Sequence, residues 1–465
     1  MARRMAPTQH EALMAINRRN FIAGASALAF GGIAIRAYSQ IPVSGISEVE
    51  AYGELVADKS ALLDLPKGFW YQVISQYGET MSDGLKVGDR ADGMGCFSLG
   101  DGRVALVRNH ELKIDNGDTG PFSAVDATKL KSYDRLIGGN TLPGGTSTII
   151  YDMRSRRRLN EFQSLAGTIR NCAGGVTPWG SWLTCEEDVT SAGAKVGRDH
   201  GFVFEVPARA RGLVEPVPLR ALGRFNHEAA AVDPRTGIVY LTEDREDSLF
   251  YRFLPNTRGE LAKGGRLQAM VMAETKANPD LRNWTSTGIS TGAWKRVTWI
   301  DLDGVDSAND DLRKRGARGG AALFARGEGT WWGKGEAYFC ATSGGAKKLG
   351  QIFRYRPMPE GSGWIQNFVE SKSEAEFNYG DNLTVTPHGH LIVCEDQYTD
   401  VVRNHLRGVT PEGRTYVFAR LHAQTEMAGA CFSPDGSTMF VNVYSPTKTL
   451  AITGPWRRFN NTALI

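Results

Sequence analysis

At 465 residues the chain has room for two to four ordinary domains, or for one large domain built from repeats. Its 41% hydrophobic and 23% charged residues are ordinary for a soluble globular protein. A formal net charge of only +3 excludes any argument, on charge alone, for nucleic acid or an anionic membrane surface as the main partner. Glycine, at 54 residues, gathers in short turn-like groups between apolar runs, which predicts many strands and tight turns rather than long helices.

The first element is a targeting segment. Asn17-Arg18-Arg19-Asn20-Phe21-Ile22 stands before an apolar run over residues 23–35. Paired arginines followed by a moderately apolar stretch read as a twin-arginine export signal, with cleavage placed at Ala37. The run is too short and too rich in Ala and Gly for a stable membrane span. This predicts a signal over residues 1–39 and a single β-rich domain over 40–465. It also predicts the twin-arginine export machinery as a partner and a periplasmic or secreted location. That route carries folded proteins, which suits a protein loaded with metal beforehand. An oxidising compartment permits disulfides, yet Cys185, Cys340 and Cys394 occupy matching points in apolar runs, where small buried hydrophobes fit better.

Beyond the signal one pattern recurs six times: a polar or acidic group, an apolar run, a Pro/Gly turn, a second apolar run and a second polar group. In chain order, residues 96–102 lead to 104–111, and 171–180 lead to 181–187. Asn226-His227-Glu228 runs through 233–237 to 239–244, and Arg326-Gly327-Glu328-Gly329 passes through 331–335 to 337–343. Asp381-Asn382 runs through 386–389 to 391–396, and residues 426–429 run through 433–436 to 439–442. Each copy predicts a β-hairpin. Residues 112–165 and 245–325 are outer strands plus insertions, with the charged run 310–318 a solvated loop or short helix. A sandwich or barrel would also use such hairpins. A six-bladed β-propeller is preferred because polar groups flank both ends of nearly every copy. In a blade the innermost strand runs along the channel and the next returns, so the start of one and the end of the other meet at one mouth.

The repeat gathers Asn109, His110, Glu111, Asn171, Cys172, Glu186, Glu187, Asp188, Asn226, His227, Glu228, Glu243, Asp244, Arg326, Glu328, Asp381, Asn382, Glu395 and Asp396 at that mouth. So many carboxylates cannot all ionise without a cation among them. Oxygen ligands in this number favour Ca²⁺ or Fe³⁺, and a thiolate favours a transition metal at its own corner. The same residues also admit plainer roles. Acids at strand ends serve as turn residues, and Glu186, Asp188, Glu243 and Asp396 can alternate outward. His110 and His227 can be satisfied core histidines, and Cys172 a packing residue.

Residues 171–187, Asn-Cys-Ala-Gly-Gly-Val-Thr-Pro-Trp-Gly-Ser-Trp-Leu-Thr-Cys-Glu-Glu, resemble the signature of the PhoX alkaline phosphatase family. Residues 226–233 with 240–245 are similar to its second motif, and the twin-arginine leader agrees. The resemblance spans most of the mature chain. It implies a six-bladed propeller carrying two ferric ions and several calcium ions around a bridging oxo group. It further implies Cys172 as an iron ligand, with Glu228 and Glu328 as ligands of the same cluster. Arg326 would clamp phosphate, and Asn109 would be a second phosphate contact. Glu111, Glu187, Asp244, Asp381 and Glu395 carry over as calcium or iron ligands. One departure is Gly327, where the family has Pro. The activity implied is hydrolysis of phosphomonoesters. The alternatives are another metal-dependent propeller hydrolase, such as a phosphodiesterase or lactonase, and a non-catalytic calcium-binding propeller module whose acids serve folding alone.

Overall fold

Among the described residues the regular structure is almost wholly antiparallel strand. The computed structural model describes residues 45–275 and 279–464, so the twin-arginine segment and the Ala37 cleavage point lie outside the described residues. Among the described residues the one α-helix is Leu312–Arg318, within the charged run, and no helix is long and apolar enough to cross a membrane.

The hairpins follow from their turns. Asn171–Val176 and Ser181–Glu186 are joined across Thr177-Pro178-Trp179-Gly180, where Gly180 adopts φ 88. Proline sets one turn torsion and glycine supplies the left-handed one. The same logic joins His227–Val232 to Val239–Glu243, with the Gly237 amide bonded to the Asp233 carbonyl at 2.8 Å. Gly327–Gly333 pairs Glu336–Ala341, Gly380–Val385 pairs Leu391–Glu395, and Met427–Phe432 pairs Thr438–Val443. In the first copy the inner strand, Ala91–Gly100, begins five residues before the motif noted from sequence, and it pairs Arg103–His110.

Each hairpin carries further strands outward, from one in the three-stranded sheet to four in the six-stranded sheet, giving an all-β, propeller-like arrangement. The sheets are not separate blades throughout. Trp294–Asp301 pairs Gly363–Glu370 and welds the third and fourth hairpins into one nine-stranded sheet. Early strands complete late sheets. Trp70–Gln76 pairs Lys448–Thr453 beside the last hairpin, and Leu63–Pro66 pairs Thr415–Leu421 beside the fifth. These pairings join strands near the start of the described chain to the last sheets.

The six inner strands touch in a cycle. Ala91–Gly100 meets Asn171–Val176, which meets His227–Val232, then Gly327–Gly333, Gly380–Val385 and Met427–Phe432, which returns to Ala91–Gly100. Small residues permit that approach. A Cβ on Gly175 would lie 2.0 Å from the Ala230 carbonyl oxygen, and one on Gly329 would lie 2.7 Å from the Asn382 Cα. The axis is filled below the mouth: Trp331 packs against three of the apolar clusters between sheets. The space left beside it is about 10 Å³, no more than one water.

Candidate metal centre

Antiparallel register brings the start of each inner strand beside the end of its partner: Asn171 faces Glu186, His227 faces Glu243, and Gly380 faces Glu395. Three positions per hairpin then meet at one mouth. The second residue of the inner strand supplies Asp92, Cys172, Glu228, Glu328 and Asp381 in five hairpins. The residue just past the returning strand supplies Glu111, Glu187, Asp244 and Asp396, with Tyr444 in the last hairpin. The residue just before the inner strand supplies Arg90, Arg170, Arg326, Tyr379 and Glu426. Arg90, Arg170, Arg326 and Tyr379 have φ of 55, 48, 52 and 51. The left-handed region costs an L side chain about 1–2 kcal/mol, and its recurrence here aims four side chains at the mouth.

Three groups of acids and one thiol have ligand atoms mutually within 4.8 Å: Glu111, Cys172 and Glu187; Glu228, Glu328 and Asp381; and Asp381, Asp396 and Glu426. Asp381 joins the second group to the third. Asp92 stands behind the thiol, its Oδ2 3.6 Å from Cys172 Sγ. Electrostatics record the crowding. Burial, with the neighbouring carboxylates, pushes Asp92, Glu228, Glu328 and Glu426 well above the usual carboxylate range. Glu187 also lies well above it, from burial, although Arg170 pulls it down. Burial, with Asp396 beside it, lifts Asp381 to about 7, and burial lifts Asp396 to about 6. Asp244 ends below its ordinary value: burial raises it, but the Arg326 guanidinium outweighs that.

Glu228 decides what the centre requires. It is fully buried, and neither carboxylate oxygen has a hydrogen-bond partner; the Glu426 Oε2 is likewise unpartnered. Leaving such a group unsatisfied costs a few kcal/mol or forces it neutral. A cation removes the penalty. The donor set fits one: oxygens for hard cations, and a single sulfur at the Glu111–Cys172–Glu187 corner.

Two arginines hold the rim. Arg326 spans Asp244 at 2.7 and 3.0 Å and reaches Glu328 at 3.0 Å. Arg170 bonds Glu111 at 2.9 Å and also pairs Glu187. Tyr444 bonds the other oxygen of Glu111.

Of the expected ligands, Cys172, Glu228, Glu328, Glu111, Glu187 and Asp381 come together, and Asp244 lies against them through Arg326. Glu395 does not join them. Its side chain points into the sheet, where Arg407 and His405 bond it at 2.8 Å each and the Asn378 amide at 3.0 Å. Strand alternation sends Asp396 to the mouth in its place. Asn109 is also turned inward. Its Nδ2 donates to the Cys172 and Ala173 carbonyls at 2.9 and 2.7 Å, and its Oδ1 accepts from the Trp182 indole at 2.9 Å, leaving nothing for a phosphate. Glu186 is sheet-internal too, held by His200 at 2.6 Å and the Gly201 amide at 2.9 Å. Burial pushes His110 and His227 down to about 3, so both are neutral core histidines. Among the described residues all six cysteines are free, and only Cys172 faces the acids.

Asp92, Arg170 and Glu426 belong to the centre but were not expected as site residues. Asp92 precedes the first motif noted from sequence, and only the strand register places it level with Cys172 and Glu228.

Against known proteins, the family described as alkaline phosphatase PhoX matches residues 50–141 and 141–447. No curated protein matches. Among solved structures, Pseudomonas fluorescens PhoX in complex with vanadate, a transition state analogue, is similar with a TM-score of 0.64 and 19% identity, over 88% of this chain and 98% of that one. At that identity it shows the fold. More distant is a gluconolactonase from Xanthomonas campestris, with 12% identity and a TM-score of 0.40 over 87% of this chain and 98% of that one.

Proposed function

The chain belongs to the alkaline phosphatase PhoX family, and from that premise we propose that it is a metal-dependent phosphomonoesterase working at the mouth just described. The carrying observation is Glu228, a buried carboxylate with both oxygens unbonded among other acids.

The finer reading is a six-bladed propeller holding iron and calcium. The cycle of six inner strands supports the first part. The mixture of one thiol with many carboxylates supports the second. Cys172, Glu111 and Glu187 would hold one ion, and Glu228, Glu328, Asp381, Asp396 and Glu426 the others. Bound cations supply the positive charge that draws phosphate oxygens and stabilises the transition state.

The protein's own groups do the rest. Arg326 is braced at the rim by Asp244 and Glu328 through Nε and Nη2, and would grip the transferring phosphoryl through its remaining nitrogen, Nη1. Trp331 closes the axis below, so substrate enters from one side. The export motif at residues 17–22 supports periplasmic or secreted placement, with the twin-arginine machinery as the carrier.

The test is elemental analysis beside hydrolysis of 4-nitrophenyl phosphate. Iron plus calcium, with activity lost on chelation, is expected. Arg326→Ala should cut turnover sharply at unchanged metal content. A protein free of metal, or equal turnover in the variant, would overturn the corresponding part.

A further inference from the structure

The loop over residues 396–404 joins Leu391–Glu395 to His405–Val409 and stands beside Arg326. It is a built loop. The Gln397 amide donates to Asn404 Oδ1 at 2.9 Å, the Gln397 side chain to the Arg403 carbonyl at 3.0 Å, and the Val402 amide to Gln424 at 3.0 Å. At its tip Tyr398 is 61% exposed, the most exposed Tyr, Trp or Phe among the described residues. Its hydroxyl accepts from both terminal nitrogens of Arg326 at 3.4 Å, and the Arg326 guanidinium lies 5.5 Å from its ring centroid. The ring is therefore anchored by its hydroxyl at the arginine, with the guanidinium over it and Tyr379 against it, while more than half of the residue's surface stays open to solvent. Behind it, Tyr379 meets it edge-on with centroids 5.5 Å apart. Tyr379 is itself pinned: its amide donates to the Leu349 carbonyl at 2.7 Å, and its carbonyl accepts from the Asp396 amide at 2.8 Å. Val401, 50% exposed, lies on the same loop.

A phosphomonoester has two parts, and the centre described above accounts for one. On that reading the phosphoryl would be held at Arg326 and the cation-binding acids, and the organic group would leave by the open side of the mouth, where Tyr398 stands. An exposed ring fixed within van der Waals range of the phosphate-gripping arginine is a stacking surface for a flat group. We propose that Tyr398, backed by Tyr379, is a leaving-group shelf, and that it makes the enzyme favour aryl and nucleoside phosphates over small polar ones. This rests on the phosphatase reading of the same mouth.

The experiment compares metal-loaded wild type, Tyr398→Ala and Tyr398→Phe on 4-nitrophenyl phosphate, adenosine 5′-monophosphate and glycerol 2-phosphate, with inhibition by inorganic phosphate alongside. The expected result is a loss of about tenfold in kcat/KM for the two aromatic esters in Tyr398→Ala, the size of one base stacked on an aromatic side chain. Glycerol 2-phosphate turnover and phosphate inhibition should stay within about twofold, and Tyr398→Phe should keep the preference because it keeps the ring. Equal losses on all three esters would overturn the shelf and make Tyr398 a brace for Arg326; no loss on any would also overturn it. If wild type hydrolyses none of the three, the phosphatase reading itself fails, and the shelf with it.

Discussion

Two sets of acids stand one residue apart at the same end of the same strands, and they meet opposite fates. Glu186, Glu243 and Glu395 are buried and supplied with donors: His200 and backbone amides for the first, the Tyr251 hydroxyl and Arg313 for the second, Arg407 and His405 for the third. Glu187, Asp244 and Asp396 follow them in sequence, turn the other way and crowd the mouth. A pleated strand alternates its faces, so one step along the chain separates a carboxylate that holds the sheets together from one that joins the acids at the mouth. Composition cannot tell the two apart. The strand face on which each lies can.

The contrast can be broken most forcefully at Glu228, the mouth acid with no donors. Glu228→Gln should lower both metal content and hydrolysis, the latter on the order of a hundredfold, as loss of about 2.7 kcal/mol of charge stabilisation implies. The metal-free variant should melt no lower than metal-free wild type, because an unsatisfied buried acid has gone. Elemental analysis, initial rates and thermal melts read all three, and an unaltered metal content would refute the assignment.

Glu395→Ala should do the reverse. Removing one partner of the buried Glu395–Arg407 pair should cost about 3–5 kcal/mol of stability. The fraction that stays folded should retain its metals. A large fall in melting temperature with normal metal per folded molecule is the expected pattern; metal loss at unchanged stability would return Glu395 to the centre.

The pH dependence sharpens the same comparison. Asp381 is raised to about 7 in the fold, against about 3.9 for an unfolded aspartate. The metal-free native protein therefore holds a proton that the unfolded chain has released. Its stability should fall, on the order of a few kcal/mol, as pH rises from about 4 to about 7. Saturating cations should flatten that slope, which melts at pH 5 and pH 8 with and without metal would reveal.

The smallest effect is expected at Asn109. Asn109→Ala leaves the Trp182 indole and two carbonyls beside Cys172 without their partner and should cost about 1–3 kcal/mol. KM for a phosphoester should barely move. A large KM change at full stability would restore Asn109 as a phosphate contact.

Much of this molecule was legible as a string. The Thr-Pro-Trp-Gly and Asp-Pro-Arg-Thr-Gly turns announced hairpins, and polar groups at both hairpin ends announced a shared mouth. Cys172, Glu228 and Glu328 stand where those motifs place them, because each lies one step inside a strand whose start the turn spacing defines. Asp92 was hidden because residues before Cys96 lack the motif's spacing, whereas Glu426 opens the sixth copy but stands just before its inner strand rather than on it, and was not gathered with the inner-strand acids.

The sequence by itself determined the all-β character, the six hairpins and the family, since turn chemistry and alternation are local and survive in any fold that uses them. Only the tertiary structure decided which of two adjacent acids faces the mouth, that Asn109 is spent on the Cys172 backbone, and that early strands close the last sheets. Those outcomes depend on which donors arrive from outer strands and neighbouring hairpins, and partners such as Arg407, His200 and Trp182 are brought to their acids or amides by strand pairing and packing that no local pattern specifies.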